Sequence, residues 1–421
     1  MDTHVLDELA ARGLLAQTTD IDALRAQLDS GATTYYVGFD PTAPSLHIGN
    51  LVQLVTARRL QDAGHSPLIL VGGATGLIGD PKDTGERTLN SKDAVGGWVE
   101  RVRSQVERYI DLDRGQVVNN LDWTGDLNTL DFLRDIGKHF PVNRMLGRDV
   151  VRTRLESGIS YTEFSYVLLQ AMDYLELFRR YNCRLQTGGS DQWGNITAGV
   201  ELIRRATGEL VHALATPLIT KADGSKYGKT ESGTVWLSPE LTSPYAFYQF
   251  WLNSEDAKVG DYLRIFSLRL SLDEIDEIVA ESEKTPAKRL AQRRLAEEVT
   301  TLVHGRDETQ AVVNAALALF GRAELTDLPE AVLEAALAET PNAKLEAGDE
   351  LPSVVDALVA TDLVGSRSAA RRTVAEGGAY VNNVRVTDPE DPLPESALLH
   401  GRWIVVRKGK RSVAGAEIVR G

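Results

Sequence analysis

The spacing of apolar and polar positions predicts that the first half of the chain alternates between strands and helices. Residues 35–39 are rich in aromatic and β-branched side chains, which is typical of a strand. Asp40-Pro41 and Ala43-Pro44 then break the strand, because proline fits neither a central strand nor a helix interior. From His47 onward the apolar residues recur at helical spacing. A strand therefore leads through a tight loop into the N-terminus of a helix.

The same alternation repeats further along the chain. Strands are predicted at 68–71, 117–118, 184–186 and 210–219, with helical patterns between them. Strand–helix pairs of about 30 residues are typical of an α/β fold, in which helices cover both faces of a parallel sheet. The pattern thus predicts a Rossmann-like sheet, and ligands bind such sheets at the carboxyl ends of the strands.

After residue 235 the pattern changes twice. Residues 236–320 have helical periodicity throughout and predict an α-helical domain. Residues 321–351 carry a net charge of −6, and we interpret them as an acidic linker with one possible helix. Residues 352–421 predict a small α+β domain, because a helix capped by Ser366 precedes a hairpin that turns at Asn382-Asn383.

Two segments stand apart inside the first predicted domain, which comprises residues 1–235. Residues 124–160 predict interrupted helices with enough apolar surface for a contact between subunits. Residues 221–232 form a polar loop that is rich in lysine. We therefore expect an inserted helical dimerisation region and a lysine loop.

Composition limits the setting in which the chain works. Hydrophobic residues make up 43% of the 421 positions, which is ordinary for a globular protein. No run of about 18 apolar residues occurs, so no membrane contact is expected, and the first residues lack an apolar signal core. Cys183 is the single cysteine, so we expect neither a disulfide nor a thiolate metal cluster. These features predict a cytoplasmic protein.

The distribution of charge permits a polyanionic partner at one end of the chain. The net charge is −14, which by itself argues against binding to nucleic acid. Residues 352–421, however, contain 10 Lys and Arg against 8 Asp and Glu, so this segment is at +2 while the rest of the chain is at −16. The C-terminal segment is therefore the expected place for such a partner.

The start of the helix after the first strand is a candidate phosphate site. Backbone N–H groups and the helix dipole favour an anion there. His47 and Asn50 share the first turn and can donate hydrogen bonds, while Gly49 keeps that face open. The alternative is an ordinary strand–loop–helix connection with a capping histidine.

A polar stripe on an otherwise apolar helix is the second candidate feature. Tyr166, Gln170 and Asp173 follow helical spacing and share one face of the helix predicted from residue 162 to 181. Either they face solvent, or they line a pocket with a polar end, because burial of such groups is costly without partners.

Two further loops have chemistry that suits a nucleotide. The glycine-rich turn at 187–191 follows a strand, and Asp191 there could accept hydrogen bonds from a ribose, although a simple capped turn is the alternative. In the lysine loop, Lys226 and Lys229 could close over a triphosphate and neutralise charge on the leaving pyrophosphate. Lys82 and Arg87 lie in a polar loop that is either solvated or a further phosphate contact.

Two motifs together resemble the signatures of class I aminoacyl-tRNA synthetases. The stretch Tyr36-Val37-Gly38-Phe39-Asp40-Pro41-Thr42-Ala43 and the stretch Lys226-Tyr227-Gly228-Lys229-Thr230 resemble bacterial tyrosyl-tRNA synthetases in particular. Residues 352–411 resemble the S4 RNA-binding fold, and the order of all segments is similar to that of the family over the whole chain.

The resemblance implies an activity and a set of partners. Family members activate L-tyrosine with ATP, form tyrosyl-adenylate and pyrophosphate, and transfer the tyrosyl group to tRNA(Tyr). ATP would be a substrate accompanied by Mg²⁺, without a metal site built from protein ligands. A homodimer is also implied, with the inserted helices as the contact.

The resemblance also implies site residues by function. For tyrosine they are Tyr36 and Asp173 at the phenol, Asp80, Tyr166 and Gln170 at the ammonium group, and Gln192 at the carbonyl. For ATP they are Asp40, Gly49, Gly189, Asp191 and Lys229. For catalysis at the leaving pyrophosphate they are Thr42, His47, Asn50, Lys82, Arg87, Lys226, Lys229 and Thr230. For RNA they are Arg367, Arg371 and Arg372.

The sequence departs from the class pattern in two places, and two alternatives stay open. Asn50 stands where the class usually has a second histidine, and the loop reads Lys-Tyr-Gly-Lys-Thr where the broader class has Lys-Met-Ser-Lys-Ser. The first alternative is a tryptophan-specific class I synthetase. The second is a non-catalytic RNA-binding or regulatory protein on the same scaffold.

Overall fold

The structure is a computed structural model, and it describes most of the chain. The described residues are 3–81, 89–225, 227–230, 233–348, 350–409 and 412–420, with the backbone only for Lys229 and Thr230. Among the predicted site residues, Lys82, Arg87 and Lys226 lie outside the described residues.

Strands and helices alternate through the first half of the chain, and helices dominate the region after it. The strands are β1 (Gln17–Thr18), β2 (Thr34–Phe39), β3 (Ser66–Val71), β4 (Gln116–Asn119), β5 (Leu185–Gly189), β6 (His212–Thr216), β7 (Lys229–Thr230), β8 (Gly233–Thr234), β9 (Asn342–Ala347), β10 (Ala379–Val381), β11 (Val384–Arg385), β12 (Trp403–Lys408) and β13 (Ser412–Arg420). The helices are α1 (Val5–Ala11), α2 (Ile21–Asp29), α3 (Ile48–Asp62), α4 (Thr75–Ile78), α5 (Lys92–Val106), α6 (Leu121–Thr124), α7 (Thr129–Asp131), α8 (Val142–Leu146), α9 (Asp149–Arg154), α10 (Tyr161–Tyr181), α11 (Trp193–Thr207), α12 (Pro244–Leu252), α13 (Val259–Phe266), α14 (Leu272–Lys284), α15 (Leu290–His304), α16 (Arg306–Leu319), α17 (Glu330–Ala338), α18 (Val354–Ala360) and α19 (Arg367–Ala375).

The chain divides into two compact units whose boundaries differ from the predicted domains. The first unit comprises Met1–Leu241 and Ser254–Ala291, and the second comprises Thr242–Asn253 and Gln292–Gly421. Helices α13 and α14 therefore belong with the first sheet, whereas α12 and α16 belong with the C-terminal part. The predicted α-helical domain at 236–320 is thus shared between the two units.

The first unit is built on a six-stranded sheet in the order β1-β6-β5-β2-β3-β4. Strands β2 to β6 run parallel, while the short β1 pairs antiparallel with β6 at the edge. The predicted α/β fold with a parallel sheet is confirmed. Because β3 lies on one side of β2 and β5 on the other, the strand order reverses at β2, and a crevice opens at the carboxyl ends there.

Helix α3 is fixed at both ends, which positions the residues at its start. Leu51, Val55 and Leu60 are buried against the sheet. Near its C-terminus, Arg59 shares the carboxylate of Glu8 with Arg12, at 2.9 Å from each arginine. Both arginines also donate to carbonyl groups just beyond α13, at Ser267 for Arg59 and Leu270 for Arg12. Burial lowers the pKa of Arg59 to about 10.

The second unit contains a five-stranded sheet in the order β11-β10-β12-β13-β9. The predicted hairpin is confirmed: β10 and β11 pair antiparallel, and Asn382 and Asn383 between them both have positive φ. Ser366 caps α19 as predicted.

The described residues of the segment 321–351 include a helix and a strand, in contrast to the predicted linker. The segment contains the possible helix as α17, and it also contributes strand β9, which pairs parallel with β13 at the far end of the chain. The strand has a polar outer face and a partly buried inner face. Its charged residues therefore favoured the interpretation as a linker. None of the helices in the described part of the chain has the length and apolar character that a membrane crossing needs.

Candidate active site

A cavity of about 480 Å³ opens in the first unit, at the carboxyl ends of β2, β3 and β5. It brings together predicted residues from distant parts of the sequence: Tyr36, Asp40, Thr42, His47, Gly49, Asn50, Asp80, Tyr166, Gln170, Asp173, Gly189, Asp191 and Gln192. Their roles stay predictions, but their common location supports a single site.

His47 caps α3 through its imidazole ring. Its Nδ1 accepts a hydrogen bond from the backbone N–H of Gly49 at 3.0 Å. In the neutral ring the proton is then on Nε2, which can act as a donor. A Cβ at Gly49 would lie 2.9 Å from the ring of His47, so glycine is required for this cap. The capping interpretation and the phosphate interpretation are therefore compatible.

Asn50 takes part in the start of α3. Its Oδ1 accepts the backbone N–H of His47 at 3.0 Å, which completes a capping box. The amide oxygen is therefore used in the helix start, and the amide nitrogen is the part of Asn50 that can still donate to a ligand.

The lysine loop lies directly against the start of α3. The N–H of Val235 donates to Gly228 at 3.0 Å, and the N–H of Ile48 donates in turn to Val235 at 3.3 Å. Gly228 has a φ of +93°, and a Cβ there would be 3.5 Å from Cβ of Ile48. The two sequence motifs, which are some 180 positions apart, are thus neighbours.

Tyr227 anchors the loop on its other side. Its ring stacks on Tyr262 of α13, with 4.3 Å between the ring centroids. Its hydroxyl lies 2.9 Å from the hydroxyl of Ser254. Burial raises the pKa of Tyr227, so the hydroxyl stays protonated at neutral pH. The side chain at this motif position therefore fixes the loop through Tyr262 and Ser254.

The inner end of the cavity holds a buried hydroxyl beside a buried carboxyl. Tyr36 is 1% exposed, and its Oη has no hydrogen-bond partner among the described residues. Asp173 is also 1% exposed and accepts from the indole N–H of Trp123 at 2.8 Å and from Asn120 at 2.9 Å. Burial raises the pKa of Asp173 to about 7, against the two donors, which lower it. The arrangement can bind a group that both donates and accepts.

A chain of hydrogen bonds connects this inner end with the first loop. Asn120 donates to Thr75 at 3.0 Å, and the hydroxyl of Thr75 donates to Asp40 at 2.6 Å. On its other oxygen Asp40 accepts from the hydroxyl of Tyr166 at 2.6 Å. Because Tyr166 uses its proton for Asp40, its oxygen is available as an acceptor for a cationic group. Tyr166 and Asp173 thus face the cavity and not solvent.

The third predicted carboxylate, Asp80, is held by two amides. Gln192 donates to one of its oxygens at 2.9 Å, and Asn195 donates to the other at 3.2 Å. Asn195 also donates to the amide oxygen of Gln192 at 2.9 Å. The three side chains form a closed triangle on one wall of the cavity.

The nucleotide side of the cavity is open. Asp191 is exposed, and its carboxylate lies over Gly189, where a Cβ would come within 2.5 Å of it. The alternative of a simple capped turn was wrong, because α11 begins at Trp193 and has no side-chain cap. The carboxylate of Asp191 is therefore not used by the helix.

Several residues of the site were missed by sequence reasoning. Thr75, Asn120, Trp123 and Asn195 hold the predicted carboxylates, and Gln53 and Gln186 line the cavity with buried amide oxygens that lack partners among the described residues. Their signal was position, since Thr75 and Asn120 directly follow β3 and β4 at the edge where ligands bind.

The arginines predicted to bind RNA lie on or beside α19 of the second unit. Arg367 pairs with Asp356, and Nε of Arg371 lies 2.5 Å from Glu390. Arg372 is exposed. Two of the three charges are therefore partly neutralised by acidic neighbours, which the sequence pattern did not reveal.

Comparison with known proteins gives matches over the whole chain. A family model described as "tRNA synthetases class I (W and Y)" matches residues 28–321. A second model, described as "Tyrosine--tRNA ligase SYY-like C-terminal domain", matches residues 332–414.

Curated proteins and solved structures agree with these models. The tyrosine–tRNA ligase of Streptomyces avermitilis is 59% identical over 426 residues, with 100% of both chains covered. That of Acidothermus cellulolyticus is 59% identical over 424 residues, with 99% of each chain covered. A C-terminally truncated mitochondrial tyrosyl-tRNA synthetase from Aspergillus nidulans has 31% identity and a TM-score of 0.66, over 74% of this chain and 92% of that one.

Proposed function

This chain belongs to the class I tRNA synthetases of the tryptophan and tyrosine group, its activity is that of a tyrosine–tRNA ligase, and we propose the following roles for its residues. Tyrosine and ATP bind in the cavity at the carboxyl ends of β2, β3 and β5. The products of the first step are tyrosyl-adenylate and pyrophosphate, and the second step charges tRNA(Tyr).

The observation that carries the substrate assignment is the unpartnered hydroxyl of Tyr36 beside Asp173. A buried hydroxyl without a partner costs about 1–3 kcal/mol. A substrate phenol removes this cost. Its oxygen accepts a hydrogen bond from Tyr36, and its O–H donates a hydrogen bond to Asp173. An indole has one N–H and no acceptor, so it can pair with only one of Tyr36 and Asp173. Phenylalanine would satisfy neither group.

The ammonium group of tyrosine is assigned to Asp80, Tyr166 and Gln170. Asp80 supplies the negative charge, and the oxygen of Tyr166 accepts because its proton is held by Asp40. Gln192 keeps one amide hydrogen after its bond to Asp80 and directs it to the substrate carbonyl. These contacts hold the carboxylate in position for attack.

In the first step a carboxylate oxygen of tyrosine bonds to the α-phosphorus of ATP, and the bond from that phosphorus to pyrophosphate breaks. Asp40, Gly49, Gly189 and Asp191 contact the adenosine part. Negative charge grows on the leaving phosphates, where Nε2–H of His47 and the hydroxyl of Thr42 donate. Asn50 donates through its amide nitrogen. Lys229 and Thr230 act from the loop that lies against α3, together with Lys82, Arg87 and Lys226.

In the second step a ribose hydroxyl at the 3′ end of tRNA(Tyr) attacks the tyrosyl carbonyl, and AMP leaves. We assign the C-terminal unit to tRNA binding, through an S4-like module with Arg367, Arg371 and Arg372. The less acidic charge of this segment supports the assignment.

Three further features belong to the proposal. Mg²⁺ enters with ATP and is bound mainly by its phosphates. The chain forms a homodimer through residues 124–160, where Leu130 is 74% and Val142 is 61% exposed. The cytoplasm is the compartment.

The direct test is charging of tRNA by the purified chain. With unfractionated bacterial tRNA and ATP, labelled tyrosine is expected to become acid-precipitable, whereas labelled tryptophan and phenylalanine are not. Incorporation of tryptophan at a comparable rate would contradict the assignment of Tyr36 and Asp173. A mass measurement in the same buffer tests the dimer, which a single 46.0 kDa species at micromolar concentration would exclude.

A further inference from the structure

A partly buried polar contact links the helical insert with the amino-acid site. Arg148 lies between α8 and α9, at the start of α9, and its guanidinium donates to Oδ1 of Asn195 on α11. Asn195 is 4% exposed and is the residue that holds both Asp80 and Gln192. No motif of the sequence indicated a role for Arg148 or Asn195.

The charges on the two sides of Asn195 decide which way its amide faces. Arg148 can only donate, so the oxygen of the amide faces it. Asp80 as a carboxylate can only accept, so the nitrogen of the amide faces the cavity wall. An amide in this position connects a cation and an anion that are not in contact. Without the arginine, a flipped amide would present its oxygen to Asp80 and repel it.

The same orientation extends to Gln192. Its oxygen accepts from the nitrogen of Asn195 at 2.9 Å, so its own nitrogen must face Asp80 at 2.9 Å. From the edge of the insert, Arg148 therefore stabilises the same orientation of the two amides that both oxygens of Asp80 require. Burial lowers the pKa of Arg148, while the charge of Asp80 raises it, so the two groups interact electrostatically as well.

We infer that Arg148 is a positioning residue for amino-acid binding, which acts through Asn195 on Asp80 and Gln192. The inference rests on the proposed function, because it assigns the substrate ammonium group to Asp80. Arg148 also lines a second cavity of about 320 Å³, which lies between the insert and helices α10 and α11. The tyrosine site is thus sensitive to the conformation of the insert.

The test compares tyrosine with its deaminated analogue, 3-(4-hydroxyphenyl)propanoate, in equilibrium binding to the full chain. The analogue keeps the phenol and the carboxylate and lacks the group that Asp80 would hold. Arg148→Met is expected to weaken tyrosine binding about tenfold, the value of one charged hydrogen bond, and to change binding of the analogue less than twofold. Arg148→Lys retains a donor and is expected to recover part of the loss.

A double-mutant cycle tests the route through Asn195. In an Asn195→Ala background, Arg148→Met is expected to have no further effect on tyrosine binding, because the connecting amide is absent. The matched control is Arg152→Met on the same insert, whose side chain is 70% exposed and pairs with Asp149. It is expected to leave both ligands unaffected.

Two results would overturn the inference. Equal weakening of tyrosine and the analogue in Arg148→Met would indicate general damage to the fold, and additive effects in the cycle would exclude the route through Asn195. Retained binding of the analogue shows that each variant is folded. Failure of the unmodified chain to bind tyrosine would instead overturn the proposed function.

Discussion

Trp123 donates its indole N–H to Asp173 across 2.8 Å, and this bond holds a carboxyl group inside the protein. Burial favours the neutral acid, whereas the N–H groups of Trp123 and Asn120 favour the carboxylate. The balance leaves the pKa of Asp173 at about 7. The carboxyl group of Asp173 is therefore close to balance between its two protonation states near pH 7.

Trp123→Phe removes one donor and keeps most of the ring. The pKa of Asp173 is expected to rise further, so less carboxylate is present at pH 7. Tyrosine binding is expected to weaken about five- to tenfold at that pH, because the neutral acid cannot accept the charge-assisted hydrogen bond that the carboxylate accepts from the phenol. Equilibrium titrations with tyrosine from pH 6 to pH 9 check this. Affinity is expected to decline at low pH in both proteins, and the decline is expected to begin at a higher pH in the variant.

The exposed neighbour Asp122 provides the control for this prediction. Asp122→Asn is expected to have the pH profile of the unmodified chain. A Trp123→Phe protein with an unchanged profile would show that Asp173 does not govern phenol binding.

The same carboxyl group makes stability depend on pH in a defined direction. The pKa of Asp173 is raised from 3.8 to about 7 in the folded chain. Between these values the folded protein holds a proton that the unfolded chain has released, so this contribution to stability is present below pH 4 and is lost as the pH rises to about 7. Asp173→Asn cannot titrate and lacks this dependence.

Thermal unfolding at pH 5 and pH 8 measures the effect. The midpoint of the unmodified chain is expected to fall between these pH values by a few degrees more than that of Asp173→Asn. Other groups titrate equally in both proteins, so only the difference is assigned to Asp173. An equal change in the two proteins would mean that its pKa is not raised in the fold.

Tyr227→Phe tests the anchor of the lysine loop. The variant loses the bond to the hydroxyl of Ser254 and keeps the stack on Tyr262. The loop should then spend less time in position, and the single-turnover rate of adenylate formation is expected to fall about three- to tenfold. Tyrosine binding is expected to stay constant, because the anchor does not contact the phenol end.

Tyr161→Phe is the matched control, since Tyr161 is 68% exposed at the start of α10. It is expected to react at the unmodified rate. If Tyr227→Phe also reacts at that rate, the hydroxyl has no part in positioning the loop.

The assignment of RNA binding predicts a separation between the two steps. Arg372→Gln is expected to raise the KM for tRNA about threefold, because one phosphate contact is lost. Tyrosine-dependent pyrophosphate exchange is expected to stay unchanged, because it does not involve tRNA. Arg402→Gln is the control in the same unit, where Arg402 pairs with Glu330 and Glu417. Equal effects of both variants on charging would remove Arg372 from the RNA surface.

The local sequence predicts the main elements of the site because they depend on short-range rules. The strand before Asp40 and the helix after His47 follow from residue spacing and from proline. Tyr166 and Asp173 share a face because helix geometry requires it. The roles of the individual residues rest on resemblance, and the structure adds that thirteen of them line one cavity.

What the sequence does not predict depends on contacts between distant positions. Asn120 and Trp123 hold Asp173 across some 50 positions, and neither belongs to a recognised motif. Strand β9 was taken for a linker because its partner, β13, is at the end of the chain. Orientation can also depend on distant positions: the amide of Asn195 is held between Arg148 and Asp80, which lie 47 and 115 positions away.

The most direct test of the central claim is exchange of labelled pyrophosphate into ATP with each of the twenty amino acids, without tRNA. Exchange requires reversible formation of an adenylate, and its selectivity reports on the pocket of Tyr36 and Asp173. We expect exchange with tyrosine alone. Exchange with tryptophan would contradict the phenol assignment, and no exchange with any amino acid would contradict the catalytic function of the chain.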